Sequence, residues 1–490
     1  MKPDRERLVL VRGRDSDRKH AVAPAPRPAA SRDGRRVAHA SSVFLAREER
    51  LAAGNALRSH VPRKAHATHK APAKSRDPID ILERSNAGRL PELVPIRYGR
   101  MLQSPFAFFR GAAGLMAYDL ARTPSTGIRI QACGDCHLLN FGLFATPERR
   151  LVFDINDFDE TLPAAWEWDV KRLAASFAIA ARASRISDSK AAGIAADCVR
   201  SYRKSLREYS RMSPLEVWYS QLDTAEMVES APDAAARKRR QEYIDAARAR
   251  VAENLFPRIA AQVAGRPRLV DQPPILYHVA EEDAEERVRE GMVAYRESLP
   301  DERRVLFDRY RLEDFAIKVV GIGSVGTRCF IALLFSEENN PLILQFKEAC
   351  RSVLEPYAGK SVYENQGQRV VVGQRLTQSS SDIFLGWVRG RRGYDFYVRQ
   401  FRDMKFSLPV DEMQAVQLER YADVCGRVLS RAHAKSGDAA TISGYLGKSS
   451  TFDDAVAAFA VAYADQTERD HAALKKAVRS GRIEALEEEA

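Results

Sequence analysis

The spacing of apolar positions changes several times along the chain, and each change predicts a different element. From about residue 80, DPIDILERSNAGRLPELVPIRYGRMLQSPFAFFRGAAGLMAYDLA spaces its apolar residues three and four apart, which predicts two or three helices. GIRIQACGDCHLLNFGLF then alternates before a turn-rich stretch, and RRLVFDINDF reads as a short strand running into acids. KRLAASFAIAARA and residues 188–260 return to helical spacing. Residues 263–303 are less regular, with a Pro-rich loop (GRPRLVDQPPILYH) and an acidic helix or linker (EEDAEERVREG). Beyond them the period falls to two. DFAIKVV, TRCFIALLF and PLILQFKEA predict three strands with turns at GIGSVG and SEENNP. SVYENQGQRVVVGQRLTQ predicts a helix, IFLGWVRGRRGYDFYVRQF a hairpin turning at GRRG, and the last 80 residues are helical again. No internal repeat is visible.

The expected fold class is therefore α+β. Residues 77–303 form a helical lobe carrying an acidic β-segment, 304–408 a small antiparallel β-rich lobe, and 409–490 helices that return to the large lobe. Residues 1–76 stand apart. The run AVAPAPRPAASRDGRRVAHASS lacks any sustained period and predicts a disordered tail, with one short helix at LAREERLAAGNALRSH.

Charge sharpens that division. The 490 residues carry a net charge of +11, but residues 1–76 alone hold 19 Lys and Arg against 7 Asp and Glu. The body is near neutral and the tail is basic, so the tail either docks weakly on an anionic partner or is simply solvated. No specific nucleic-acid motif appears. Hydrophobic residues at 45% supply a sizeable core. No stretch nears the roughly 20 apolar residues of a membrane span. Six sparse cysteines and an N-terminus without an apolar signal core point to a reduced, cytoplasmic setting.

The densest chemistry lies in Gly134-Asp135-Cys136-His137-Leu138-Leu139-Asn140, followed by Asp154, Asn156, Asp157 and Asp159. Four acids behind an apolar run are costly without a cation, and hard cations such as Mg²⁺ take carboxylate and amide oxygens. An Asp five residues before an Asn is the spacing of a kinase catalytic loop, where the Asp meets the acceptor hydroxyl and the Asn holds metal. Asp135 and His137 are thus candidate catalytic groups. Asn140, Asp154, Asp157 and Asp159 are candidate metal ligands.

A second cluster is Gly321-Ile322-Gly323-Ser324-Val325-Gly326. Both flanks are strand-like, so the glycines sit at a hairpin tip rather than opening a helix. They serve either as a plain turn or as a flap whose N–H groups, with Ser324, cover nucleotide phosphates. Lys347 on the next strand is placed to bind phosphate, with Glu355 or Glu364 as its acidic helix partner. Cys133 and Cys136 have no nearby ligand set beyond His137 and read as small residues around Asp135. His433 reads as a packed histidine, and Trp166, Trp168 and Asp169 as anchors of a helix start.

SPFAFFRGAAGLMAYDLA, GDCHLLNFG, LVFDINDFDETLP, EWDVKRLAAS, KVVGIGSVGTR, LQFKEA, GQRLTQ and RAHAKSGD resemble the bacterial domain of unknown function 2252, over about residues 50–480. GDxHxxN followed by an acidic hairpin is more distantly similar to the aminoglycoside phosphotransferase branch of the protein-kinase-like superfamily. That resemblance implies a catalytic Asp135, metal ligation by Asn140 and by Asp154 or Asp157, and a nucleotide flap formed by Gly321, Gly323 and Gly326 with Lys347. Cys133 departs from it, since those kinases usually have His there, which leaves the anchoring of the loop open. So does the order, because the catalytic loop precedes the flap by about 185 residues. The expectation is a circularly permuted, two-lobed kinase-like fold using ATP and Mg²⁺ to phosphorylate a small-molecule or protein acceptor, with AMP transfer an open variant. The alternatives are a non-catalytic nucleotide-binding or scaffold protein, and a metal-dependent phosphoester hydrolase on Asp135, His137, Asp154 and Asp157.

Overall fold

The Trp166–Ala183 helix is the axis of the helical part, and every residue from Trp166 to Ala181 is buried. Alanines on all sides of WEWDVKRLAASFAIAARA let neighbouring helices approach closely. The helices Asp188–Tyr209, Ala415–Ser436 and Thr451–Arg479 pack against it, and Trp166 stacks on Tyr202 at 5.9 Å. Residues 45–69, 76–278, 283–319 and 321–486 are described in this computed structural model, and they belong to one unit of mixed α+β structure. No helix among them is long and apolar enough to cross a membrane.

Strand β1 (Arg129–Ala132) leads into the Cys133–Asn140 loop, and β2 (Phe141–Ala145) leads out of it. β2 pairs antiparallel with β3 (Leu151–Ile155), and β1 pairs with β4 (Leu162–Ala165), which runs into the axial helix. Residues 156–160, which include Asp157, Asp159 and Glu160, therefore form an acidic loop held at both ends by short ladders.

The sheet part begins with a hairpin of β5 (Ala260–Val263) and β6 (Arg266–Leu269). Then β7 (Leu276–Tyr277), β8 (Arg311–Lys318), β9 (Cys329–Phe335), β10 (Pro341–Glu348), β11 (Gly386–Arg389) and β12 (Asp395–Gln400) form an antiparallel sheet ordered β11-β12-β10-β9-β8-β7. The two-residue period of β10 sorts its side chains. Leu342, Leu344 and Phe346 join the core under helices Ala284–Glu297 and Asp301–Phe307. On the alternate positions, Gln345 and Lys347 line a cleft toward the helical part. Cross-strand register puts Arg399 beside Gln345 and Tyr397 beside Lys347.

Two boundaries differ from those expected. Packing carries the sheet part back to about residue 252, because Leu255 and Phe256 pack on Ile331, Leu333 and Ile343, and Tyr295 and Phe307 pack on Leu334 and Phe346. The irregular composition of 263–303 concealed two short strands, β6 and β7, and the end of β5. Residues 47–67, expected in the disordered tail, form helical turns packed on the C-terminal helices. A Cβ on Gly54 would lie 1.9 Å from the Thr441 carbonyl oxygen, so only glycine permits this approach. The expectation for residues 1–44 lies outside the described residues.

Two features join the parts beside the cleft. The segment after β12 runs along β2, where Leu143 and Phe406 exchange two 2.9 Å backbone hydrogen bonds. The Gln366–Thr377 helix packs on β11, β12 and the Ala415–Ser436 helix.

Candidate functional site

The Cys133–Asn140 loop turns sharply at Gly134, whose φ is +82° and whose Cβ would lie 2.3 Å from the Glu160 carbonyl oxygen. Its anchor is Asp169 on the axial helix. That carboxylate accepts the Cys133 N–H at 2.7 Å and the Gly134 N–H at 3.1 Å. Behind it, His433 lies 3.3 Å from Asp169 and 2.8 Å from the Tyr202 hydroxyl. Asp169 and His433 thus hold the loop without a histidine at position 133.

Asp135 is oriented by Arg172, whose Nε donates to Oδ1 at 2.7 Å and whose Nη2 donates to the same oxygen. Its Oδ2 lies 3.9 Å from His137 Nε2. Burial pushes the His137 imidazole down to about 3, so it is neutral at physiological pH. The Asn140 side chain donates Nδ2 to the Asp135 carbonyl at 2.7 Å, which leaves its Oδ1 as an acceptor. The Asn156 N–H donates to the Asn140 carbonyl at 2.7 Å and brings the acidic loop alongside.

Asp154 on β3 and the loop acids Asp157 and Asp159 go to different places. Asp154 is fully buried, and Arg431 Nη2 lies 2.7 Å from both its oxygens. Ser379 and Ile155 donate their N–H groups to it at 2.7 and 2.8 Å. Those four bonds consume its acceptor capacity, so Asp154 is a packing charge and is not open to a cleft ion. Asp159 takes the Lys347 ammonium, the Tyr397 hydroxyl at 2.7 Å and the Ser324 hydroxyl at 3.3 Å. Asp157 keeps 34% of its side chain exposed, accepts the Asp159 N–H at 3.2 Å and lies 3.9 Å from Lys347 Nζ.

Lys347 itself is 4% exposed. Burial would lower its pKa, but Asp157 and Asp159 hold it well above the ordinary lysine range. Burial would raise the Asp157 carboxyl, and Lys347, then Arg399 and Lys405, hold it below the usual range. Neither Glu355 nor Glu364 is the partner of Lys347. Glu355 caps the Ser361 N–H at 3.3 Å, and Glu364 is exposed. The Gln366–Thr377 helix carries no acid at all. Instead its Arg369 donates to the Asp159, Thr161 and Cys350 carbonyls at 2.7–2.8 Å, gripping the loop that supplies the carboxylates.

Two cavities meet at Asp157. The larger, about 470 Å³, runs from Lys347, Gln345 and Arg399 to Phe144 and Lys405. The smaller, about 110 Å³, lies between the glycine loop and Asp135, His137 and Asn140. Both are also bounded by Gly321 and Ser324, while Gly323 lines the smaller alone. The glycine loop is pinned from the helical side, with Leu90 N–H donating to the Gly326 carbonyl at 2.7 Å and Arg100 to the Gly321 carbonyl.

The larger cavity holds more positive charge than its carboxylates answer. Arg399 and Lys405 both donate to the single Asn156 carbonyl, at 3.4 and 3.3 Å. Burial, then repulsion from Arg399, pushes the Lys405 ammonium down to about 7. At the rim Arg149 pairs with Asp403 at 2.6 Å. Buried cations with no matching acid favour an anion in that space.

Sequence reasoning missed Arg399, Lys405, Tyr397 and Arg172. Tyr397 and Arg399 were legible as alternate residues of DFYVRQF on the face that Lys347 shares. Arg172 sits one turn after Asp169 in EWDVKR. Lys405 follows the sheet in a loop, where no periodicity marks it. Among the described residues, one set of three acid, imidazole or thiol ligand atoms falls within 4.8 Å, namely Cys133, Cys136 and Asp169. Asp169 is engaged by the loop N–H groups, and burial raises the Cys136 thiol to about 12, so the thiols stay protonated. Both side chains are buried in the apolar core of the helical part.

The chain is thus a mixed α+β protein with a charged cleft between its sheet and its helices. Residues 89–477 match the family model described as an uncharacterized protein conserved in bacteria (DUF2252), and the chain belongs to that family. The match spans the Cys133–Asn140 loop, the acidic loop, the glycine loop and Lys347. No curated protein and no solved structure matches the chain.

Proposed function

We propose that this protein is a nucleotide-dependent phosphotransferase of kinase-like type with a circularly permuted chain order. The observation that carries the reading is the meeting of Lys347, from the sheet, with Asp157 and Asp159, from the loop after β3, at the junction of two cavities. Asp135 stands on the other side of the smaller one. Residues about 200 positions apart, in the reverse of the usual kinase order, converge on one cleft.

In this reading the larger cavity takes the nucleotide. Lys347, Arg399 and Lys405 neutralise its phosphates, and the N–H groups and Ser324 of the glycine loop close over them. The smaller cavity takes the acceptor. Asp135 Oδ1 is fixed by Arg172, so Oδ2 is directed to receive the acceptor hydroxyl proton. Neutral His137 beside it adds no competing charge.

A divalent ion fits the donor set. Mg²⁺ is usually held by one or two protein oxygens together with phosphate oxygens, and here the open carboxylate is Asp157 and the free amide oxygen is Asn140. These two residues would hold the ion, which would supply charge neutralisation for the phosphates. The same observation weighs against a hydrolase whose metal is held by protein alone. Asp154 is consumed by Arg431, and Asp135, His137 and Asp157 do not join it in one ligand set.

The test is calorimetric titration of ATP with Mg²⁺ into wild type, Lys347→Ala and Asp157→Ala. Micromolar binding is expected for wild type, loss in Lys347→Ala, and loss of Mg²⁺ dependence in Asp157→Ala. Binding that no acceptor converts to turnover would favour the non-catalytic reading. No binding of any nucleotide by folded wild type would defeat both.

A further inference from the structure

The smaller cavity is lined by three arginines that the phosphotransferase reading does not use, Arg89, Arg97 and Arg110, and one of them is left without a partner. Arg110 ends the Pro105–Gly111 helix, in the SPFAFFRG segment, and faces the cavity shared with Asp135, Asn140, Asp157 and the glycine loop. A Cβ on Gly323 would come within 3.6 Å of the Arg110 carbonyl oxygen, so the glycine loop passes directly over this residue. Its guanidinium takes part in no hydrogen bond or ion pair among the described residues, and its Nε is buried without a partner.

Arg110 differs from the two other arginines of the cavity in having no hydrogen-bond partner among the described residues. Those two are held by main-chain and amide oxygens, although the Arg97 Nε is also buried without a partner. Arg97 donates to the Gly111 carbonyl at 2.6 Å and to Asn86, and Arg89 donates to the Ser85 carbonyl at 3.3 Å and to the Val325 carbonyl. The acids of the cavity are also occupied. Asp135 is held by Arg172, Asp159 by Lys347, Tyr397 and Ser324, and Glu160 accepts the Val353 N–H at 2.7 Å. Asp157 faces Lys347. A guanidinium has five N–H donors in a planar fork that fits an oxyanion, and leaving a buried one such as the Arg110 Nε unmade is unfavourable. The oxyanion that fits must reach between Asp135 and Asp157.

We propose that Arg110 binds a phosphate-type oxyanion in the smaller cavity, beside Asp135 and under the glycine loop. The group has two possible sources. It is either the terminal phosphate of the nucleotide or an anionic group of the acceptor. Only that division into sources rests on the phosphotransferase reading. In the first case Arg110 stabilises the charge on the transferring group, and in the second it selects acidic acceptors.

The experiment uses the full chain as wild type, Arg110→Gln and Arg110→Lys, with Arg399→Gln as a control in the larger cavity. Inorganic phosphate is titrated first, without nucleotide, and its binding is read by phosphorus NMR line broadening. Arg110→Gln is expected to weaken this binding at least tenfold, with partial rescue in Arg110→Lys. Phosphate binding that is equal in wild type and Arg110→Gln, or absent from wild type, overturns the proposal. Mg-ATP and Mg-ADP are then titrated. If the group is the terminal phosphate, Arg110→Gln loses the preference for ATP over ADP, whereas Arg399→Gln weakens both. If it belongs to the acceptor, nucleotide affinities are unchanged, and phosphate still binds the Mg-ATP complex of wild type but not of Arg110→Gln. Failure of every nucleotide to bind, with Arg110-dependent phosphate binding intact, defeats the phosphotransferase reading and leaves the oxyanion site standing.

Discussion

Asp154 and Asp157 lie three residues apart on one acidic segment, and the structure predicts opposite behaviour when each is changed to asparagine. Asp154→Asn removes a fully buried charge that Arg431, Ser379 and Ile155 share. It also places an amide N–H₂ against groups that are themselves donors. Breaking one side of a buried ion pair costs about 3–5 kcal/mol, because the remaining guanidinium stays buried and unpaired. Unfolding entropy of about 2.1 cal/mol/K per residue, over the roughly 430 described residues, is about 0.9 kcal/mol/K. The expected fall in Tm is therefore about 3–5 °C. Asp157→Asn removes a carboxylate that is 34% exposed, and Lys347 keeps Asp159. Its cost is below about 1 kcal/mol, or about 1 °C. Thermal unfolding of both variants beside wild type, with and without Mg²⁺ and ATP, checks the pair. Asp157→Asn should abolish the rise in Tm that Mg²⁺ adds to ATP, and Asp154→Asn should retain it. An unchanged Tm for Asp154→Asn, or ion-dependent stabilisation lost there and kept in Asp157→Asn, would place the metal ligand at Asp154 and refute the reasoning.

Three further outcomes follow, two from the cleft and one from the N-terminal helical turns. Lys405 is held near 7 in the folded protein, well below its unfolded value, so the folded state binds fewer protons above pH 7 and stability rises with pH from about 7 toward 10. An anion in the larger cavity favours the charged ammonium. Pyrophosphate binding at pH 8 should therefore take up a proton, measured by calorimetry in buffers of different ionisation enthalpy. Lys405→Gln should remove that uptake, and an uptake unchanged by the substitution would shift the cause to Glu160, whose carboxyl burial raises to about 7. In the N-terminal helical turns, Gly54→Leu forces a side chain against the Thr441 carbonyl. It should cost about 1–3 kcal/mol and open residues 47–67 to limited proteolysis. A cleavage pattern identical to wild type would show that this segment is not docked as described.

Much of the architecture was legible because it is local. The alternation in PLILQFKEA and DFYVRQF placed two strands correctly and put Gln345 and Lys347 on one face. The helical spacing of SVYENQGQRVVVGQRLTQ placed the Gln366–Thr377 helix. The acidic run FDINDFDE marked the cleft by its charge density alone. Where local signals failed, a contact distant in sequence decided the outcome. The helix LAREERLAAGNALRSH was visible, but its docking depends on Gly54 meeting Thr441, nearly the whole chain away. The 263–303 region looked irregular because its strands are too short to show a period.

The same division holds within the site. By itself the sequence marked several of the segments that line the cleft, because a glycine loop, a strand lysine and an acid-rich loop are each recognisable over a few positions. Only the tertiary structure decided how those charges are shared. Asp154 and Asp157 are indistinguishable in FDIND, yet one meets Arg431 from a helix 277 positions away and the other faces the open cleft. Lys347 takes its carboxylates from the acidic loop and not from a helix, because the helix that packs there brings Arg369 instead of an acid. A carboxylate's role is set by which cation reaches it and how much water remains. Both depend on packing between segments that the chain order keeps apart.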